Sequence, residues 1–134
     1  MYLQYAHCSD KLAYLQNVQV QYDSSNVPTA TVVVTTPAGT EETYTGTGNG
    51  SVEAIFNTLE QIAEGKVNVL DYRVTSVGKG EDALGEAVIN VEYNGFKYTG
   101  RDAAQDVLEA SAKAYVNAVN RHLLQASTRQ GAVN

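Results

Sequence analysis

Gly46-Thr47-Gly48-Asn49-Gly50 is the run whose residue types offer the most direct chemistry. It stands between a strand-like stretch and a helix-like one. Glycine permits positive φ and close approach of backbone to a ligand, and a helix start presents unpaired N–H groups to an anion. A carboxylate or phosphate suits that arrangement; a turn that simply needs glycine explains it equally well. The spacing is GxGxG, not the GxGxxG of a dinucleotide fingerprint, and the preceding strand closes a hairpin instead of a parallel βαβ unit. A second candidate is Val69-Leu70-Asp71-Tyr72-Arg73, where alternation puts Asp71 and Arg73 on one face and Leu70 and Tyr72 on the other. That pattern reads as a solvated ion pair over a buried apolar face. Gly78 to Asp82 is a charged loop, and the small apolar step Ala83-Leu84-Gly85 after it could floor a pocket.

Signatures of turnover are missing. The two histidines, His7 and His122, lie near opposite ends of the chain, and HxH, HExxH, CxxC, GxSxG and GxxxxGK[ST] spacings are absent. The expectation is a chain with no catalytic residues, no metal site and no cofactor of its own. His122, near the end of a predicted helix, reads as a surface residue compatible with the helix dipole. A single cysteine, Cys8, excludes an internal disulfide and points to a reducing compartment. A net charge of −6 and a pI near 4.7 argue against a nucleic-acid partner. No apolar run approaches the roughly 20 residues of a membrane span, and no signal peptide is legible. A cytoplasmic protein with no membrane partner is expected.

The elements that must position these residues occur twice. Tyr44-Thr45-Gly46 recurs as Tyr98-Thr99-Gly100, each closing a strand and preceding a helix. Predicted strands are Val18 to Tyr22, Ala30 to Thr35 and Glu41 to Gly46 in the first half, then Val67 to Val77, Ala87 to Tyr93 and Phe96 to Gly100. Asn94-Gly95 is a strong hairpin signal. Val52, Ile55, Phe56, Leu59, Ile62 and Ala63 share one helix face, with Ser51 as a good N-cap and Gly65 following the end. The second helix carries Val107, Leu108, Ala110, Tyr115, Ala118, Val119 and Leu123, and both Asp102 and Asp106 could begin it. The fold class is α+β: two pseudo-symmetric βββα units, antiparallel sheets with helices packed on one side. The expected boundaries are a linker at 1–11, repeats at about 12–65 and 66–125, and a loose tail at 126–134.

Several of these runs together resemble a known module. Gly46-x-Gly48-Asn49-Gly50-x-Val52-x-Ala54, Leu70-Asp71-Tyr72-Arg73-Val74, Asp82-Ala83-Leu84-Gly85-Glu86 and the stretch from Asp106 to Arg121 occur in the same order in the C-terminal regulatory domain of 2-isopropylmalate synthases. Val27-Pro28-Thr29-Ala30 is similar to that family's first hairpin, and the likeness covers about Leu12 to Leu124. It implies a cytosolic homodimer whose N-terminal (β/α)8 barrel, absent from this chain, holds a divalent metal and condenses acetyl-CoA with 2-oxoisovalerate. The regulatory domain would dimerise and bind leucine as feedback inhibitor. Position by position, the resemblance implies an effector site of Gly48, Asn49 and Gly50 for the polar end, with Val52, Val69 and Tyr72 beside the ligand. Asp82, Ala83 and Leu84 border it, with Asp82 a partner for the ammonium, and Ala104, Gln105 and Val107 form the entry to the second helix. Alternation places Val69 and Tyr72 on opposite faces, so one lies outside the site or a bulge intervenes. The family commonly has glycine and serine where this chain has Asp102 and Ala104, which favours the first glycine loop as the ligand-holding end. Citramalate synthases carry a similar module that senses isoleucine, and a standalone amino-acid-binding or dimerisation module is the other reading.

Overall fold

The computed structural model describes residues 12–22, 27–36, 38–63, 65–78, 80 and 83–133. Two three-stranded antiparallel sheets follow from the two halves. The first has the order β1 (Tyr14–Tyr22), β2 (Pro28–Thr35), β3 (Glu41–Thr47), and the second β4 (Val67–Val77), β5 (Leu84–Tyr93), β6 (Phe96–Ala104). The central strands are rich in β-branched residues, and β2 alternates strictly; every second residue of it, including Ala30, Val32 and Val34, is buried. Asn94 (φ 53) and Gly95 (φ 84) are both left-handed, the backbone of a type I′ turn, which matches the twist of the strands it joins.

Each sheet is followed by a helix, α1 (Ser51–Leu59) and α2 (Val107–Val133). α1 buries Ala54, Ile55, Phe56 and Leu59 against β2 and β3, then tightens into a 3-10 turn at Glu60–Ile62. The Glu60 carboxylate accepts the Val67 N–H at 2.9 Å and so hands the chain on to β4. α2 is buried nearly all round from Ala110 to Val119, because β5 and β6 cover one side while β1 and α1 cover others. Its alanines let the layers approach closely. At Gly100 in β6 an added Cβ would lie 1.9 Å from the Ala114 carbonyl oxygen, so only glycine fits there. The repeats share a further device: Asn57 of α1 donates to the Thr47 carbonyl at 2.9 Å, and Asn117 of α2 to the Arg101 carbonyl at 2.8 Å. The halves join through the helices. Phe56 of α1 stacks on Tyr115 of α2 (ring centroids 5.2 Å) and meets Tyr72 of β4 edge-on at 5.4 Å.

The two βββα units are therefore present, with corrections at the ends of elements. β6 runs through Asp102 to Ala104, so the second helix starts after Asp106, whose carboxylate accepts the Leu108 N–H at 2.9 Å. Ala104 and Gln105 thus lie just before the helix, and Val107 begins it. Gly50, not Ser51, is the N-cap of α1, and the Ser51 hydroxyl bonds the Tyr22 hydroxyl instead. The second helix runs on to Val133, and Gln125 to Gln130 contain no proline or glycine to stop it. His122 is not a surface residue. It is 8% exposed, bonded through Nδ1 to the Tyr98 hydroxyl at 2.7 Å and through Nε2 to Asn94 at 3.3 Å. No helix among the described residues is long and apolar enough to cross a membrane.

Candidate functional site

The glycine loop between β3 and α1 is shaped by close approach, not by unusual backbone. None of Gly46, Gly48 and Gly50 has positive φ; Gly50 is extended at φ −145. An added Cβ on Gly48 would lie 2.5 Å from the Ala54 nitrogen, whereas one on Gly50 would meet nothing within 4 Å. Of the two properties that glycine offers, this loop uses close approach and not positive φ: the helix pressing on Gly48 requires it, and Gly50 has open space around it. Glu53, which sequence reasoning did not single out, turns its carboxylate back to accept the Asn49 N–H at 2.9 Å. The signal for it was available, an acid in the first turn of a helix.

β4 supplies the next two positions, and a bulge settles their geometry. The register slips between Val69 and Asp71, so Val69 opposes Val91 while Tyr72 opposes Ile89. Val91 and Ile89 share the buried face of β5, so Val69 and Tyr72 share the inward face of β4. Val74, opposite Ala87, continues it. The same slip occurs in β1 between Leu15 and Asn17, which makes Leu15, Val18 and Val20 the counterparts of Val69, Tyr72 and Val74. The Tyr72 hydroxyl bonds the Ser111 hydroxyl at 2.6 Å, one turn along α2 from Val107. Val107 in turn sits over Gly85, where a Cβ would be 3.1 Å from Val107 Cγ2 and 3.7 Å from Val74 Cγ1. Phe56, on Tyr72, lies one turn along α1 from Val52.

The structure therefore groups Tyr72, Val74 and Val107 directly, with Val52 one helical turn from the same cluster and Val69 further along the inward face. Ala104 is buried opposite Gly85 and belongs to that end of the sheet; Gln105 after it is exposed. Leu84 opposes Val77 and, by alternation with the inward Gly85, projects from the other face of the sheet. Ala83 precedes β5, its N–H bonded to the Gly80 carbonyl at 3.2 Å, and Asp82 lies outside the described residues. Asp102, whose charge was set against an effector carboxylate, is already engaged: it accepts the Ala103 N–H at 2.8 Å and an Asn117 N–H at 3.3 Å.

The two repeats do not offer equivalent surfaces here. α2, at 27 residues, reaches β1 and leaves Leu15, Val18 and Val20 half-buried; α1 has nine, and Val69 and Val74 stay 41% and 37% exposed. On the β1 side the corresponding groove, about 270 Å³, is lined by Leu15 and Val18 together with Asp106, Glu109 and Lys113. Its lysine is paired to Glu109 at 3.1 Å, which leaves the groove acidic and poorly suited to a carboxylate. The described residues contain no group of three or more histidine, cysteine and acidic side chains arranged to hold a metal.

Comparison with known proteins adds a family to this geometry. The model of the LeuA allosteric (dimerisation) domain matches residues 1–123. A 2-isopropylmalate synthase of Lysinibacillus sphaericus (strain C3-41) is 64% identical over 115 residues, 86% of this chain and 22% of the relative. Those of Bacillus pumilus (strain SAFR-032) and Geobacillus kaustophilus (strain HTA426) are 51% and 50% identical, over 85% and 80% of this chain and 22% and 21% of the relatives. The chain spans about a fifth of the length of the curated relatives it matches.

Proposed function

The chain belongs to the LeuA allosteric (dimerisation) domain family, and from that premise we propose that it is the leucine-sensing, dimerising part of a 2-isopropylmalate synthase. The observation that carries the reading is the uncovered inward face of β4, which sets Val69, Tyr72 and Val74 beside the first turn of α2 at Val107. A branched aliphatic side chain fits a surface of valines and one aromatic ring, and burying an isobutyl group contributes about 2 kcal/mol. The zwitterionic end then lies toward the start of α1. There the helix N–H groups around Gly48 to Gly50 suit the carboxylate, and the Glu53 carboxylate suits the ammonium. Asp82 is a further partner for the ammonium.

In the proposed whole enzyme, condensation of acetyl-CoA with 2-oxoisovalerate is carried out by a metal-holding barrel in the same polypeptide, in the cytoplasm. This domain supplies no reacting group. It inhibits by binding leucine more tightly in one of two states of the enzyme, a coupling typically worth 1–3 kcal/mol. Isoleucine is the competing effector, and one shifted methyl in an apolar pocket changes affinity by about 1–3 kcal/mol. Calorimetric titration of the 134-residue chain with leucine, isoleucine and valine tests the reading. Leucine is expected to bind most tightly; isoleucine binding more tightly would move the domain to the citramalate-synthase reading. Heat indistinguishable from buffer with all three would remove the effector site.

A further inference from the structure

We infer that the Asn49-Gly50 peptide is a site of spontaneous covalent modification, a side-chain amide that the fold leaves free to deamidate and so to place a new carboxylate on the glycine loop. Two Asn-Gly dipeptides occur in the sequence, Asn49-Gly50 and Asn94-Gly95. Glycine after asparagine matters because a residue without Cβ leaves its backbone nitrogen open to the side chain before it. The surroundings of the two differ. Asn94 is set in the I′ turn at φ 53, with Nδ2 on His122 Nε2 at 3.3 Å and Oδ1 where a Cβ on Gly65 would be 2.7 Å away. Both ends of that amide are enclosed. Asn49 is exposed, and Glu53 holds only its backbone N–H. Among the described residues neither the Asn49 side chain nor the Gly50 N–H has a hydrogen-bond partner. Gly50 is extended at φ −145 and has open space where a Cβ would stand.

The reaction needs water and no other reagent. The Gly50 amide gives its proton to solvent, and its nitrogen attacks Asn49 Cγ. The N–Cγ bond forms, the Cγ–Nδ2 bond breaks, and Nδ2 leaves as ammonia with its own hydrogens and a proton returned from solvent. The product is a five-membered cyclic imide. Water then adds to one of its carbonyls. Opening the new bond leaves aspartate, and opening the old Asn49–Gly50 peptide bond leaves isoaspartate. The start of α1 favours the first step, because the positive end of a helix stabilises the amide anion as the proton departs. Either product adds a negative charge beside the helix N–H groups, and isoaspartate also lengthens the backbone just before the cap. The consequence for regulation rests on the leucine-sensing reading above: a carboxylate at position 49 repels the effector carboxylate, and the aged domain loses affinity for its inhibitor.

The test is peptide mapping by mass spectrometry of the 134-residue chain held at mildly alkaline pH, both folded and in denaturant. In the folded chain the Asn49 peptide is expected to gain about 1 Da at least about tenfold faster than the Asn94 peptide, whose hydrogen bond must break first. In denaturant the two should react within about threefold of each other, since only the local sequence then decides. Equal rates in the folded chain, or a faster Asn94, overturn the inference. So does an Asn49 that reacts in denaturant and not when folded. Gly50→Ala, with room for its methyl, should keep the parent's circular dichroism and slow the change at Asn49 about tenfold. An unchanged rate there overturns the cyclic route. By calorimetry Asn49→Asp should bind leucine about tenfold more weakly than the fresh parent. Equal binding overturns the regulatory consequence. A fresh parent that binds no leucine removes the effector reading, while the mass measurements still decide the modification.

Discussion

At the scale of single residues, the glycines divide into those that the packing requires and those it merely admits. Gly100→Ala would drive a methyl into the Ala114 carbonyl at 1.9 Å and the Ala118 nitrogen at 2.8 Å. We expect a loss of about 3 kcal/mol or more, read as a lower midpoint in chemical denaturation. Gly50→Ala, with an ordinary φ and open space, should stay within about 0.5 kcal/mol of the parent. Gly48→Ala pushes the loop away from Ala54 and should weaken leucine binding far more than Gly50→Ala does; equal affinities in both variants would move the polar end of the site. Tyr115 offers a pH test. Burial, then the nearby charges of Glu60 and Tyr93, pushes its hydroxyl well above the ordinary value of 10.0. The folded state therefore keeps the proton longer than the unfolded one. Its stabilising effect is complete below pH 10.0 and declines as pH rises beyond it. Tyr115→Phe should flatten the fall in unfolding free energy as pH rises above about 10.

At the scale of elements, the two anchors of α2 make the clearest predictions. Asn120 donates to the Ala13 carbonyl at 2.8 Å and accepts the Ala13 N–H at 2.9 Å, tying the start of β1 to a helix 107 residues later. Ala13 is 1% exposed, so Asn120→Ala leaves both of its backbone groups unpaired at a cost of about 2 kcal/mol, with faster amide exchange at Ala13 and in the first turn of β1. Asp106→Ala removes a helix cap and should cost about 1 kcal/mol. The order of elements was legible because each carries its own period: alternation in β2 and β5, the apolar stripe of α1, and the Asn94-Gly95 turn. The ends were harder. Asp102 and Asp106 offer equally good caps locally, and pairing of Ala103 and Ala104 with Glu86 and Gly85 decides between them, a contact between distant parts of the chain. Val69 and Tyr72 could be placed on one face only by a bulge, and alternation alone could not say that the ladder slips there. His122 was misread because its partners, Tyr98 and Asn94, come from a hairpin more than twenty residues earlier.

At the scale of the whole molecule, binding and stability are linked. A ligand at a hundred times its dissociation constant adds about 2.7 kcal/mol to the folded state, so saturating leucine should raise the thermal midpoint by several degrees and valine by less. The unequal helices carry a last consequence. A duplicated fold would ordinarily suggest two equal receptor sites per chain, yet α2 narrows one of the two positions to a groove that it lines with Asp106 and Glu109. On the proposed reading the doubled fold offers one receptor, and its counterpart is an acidic groove. The stoichiometry follows: titration should saturate at one leucine per chain, two per pair of chains, and never four.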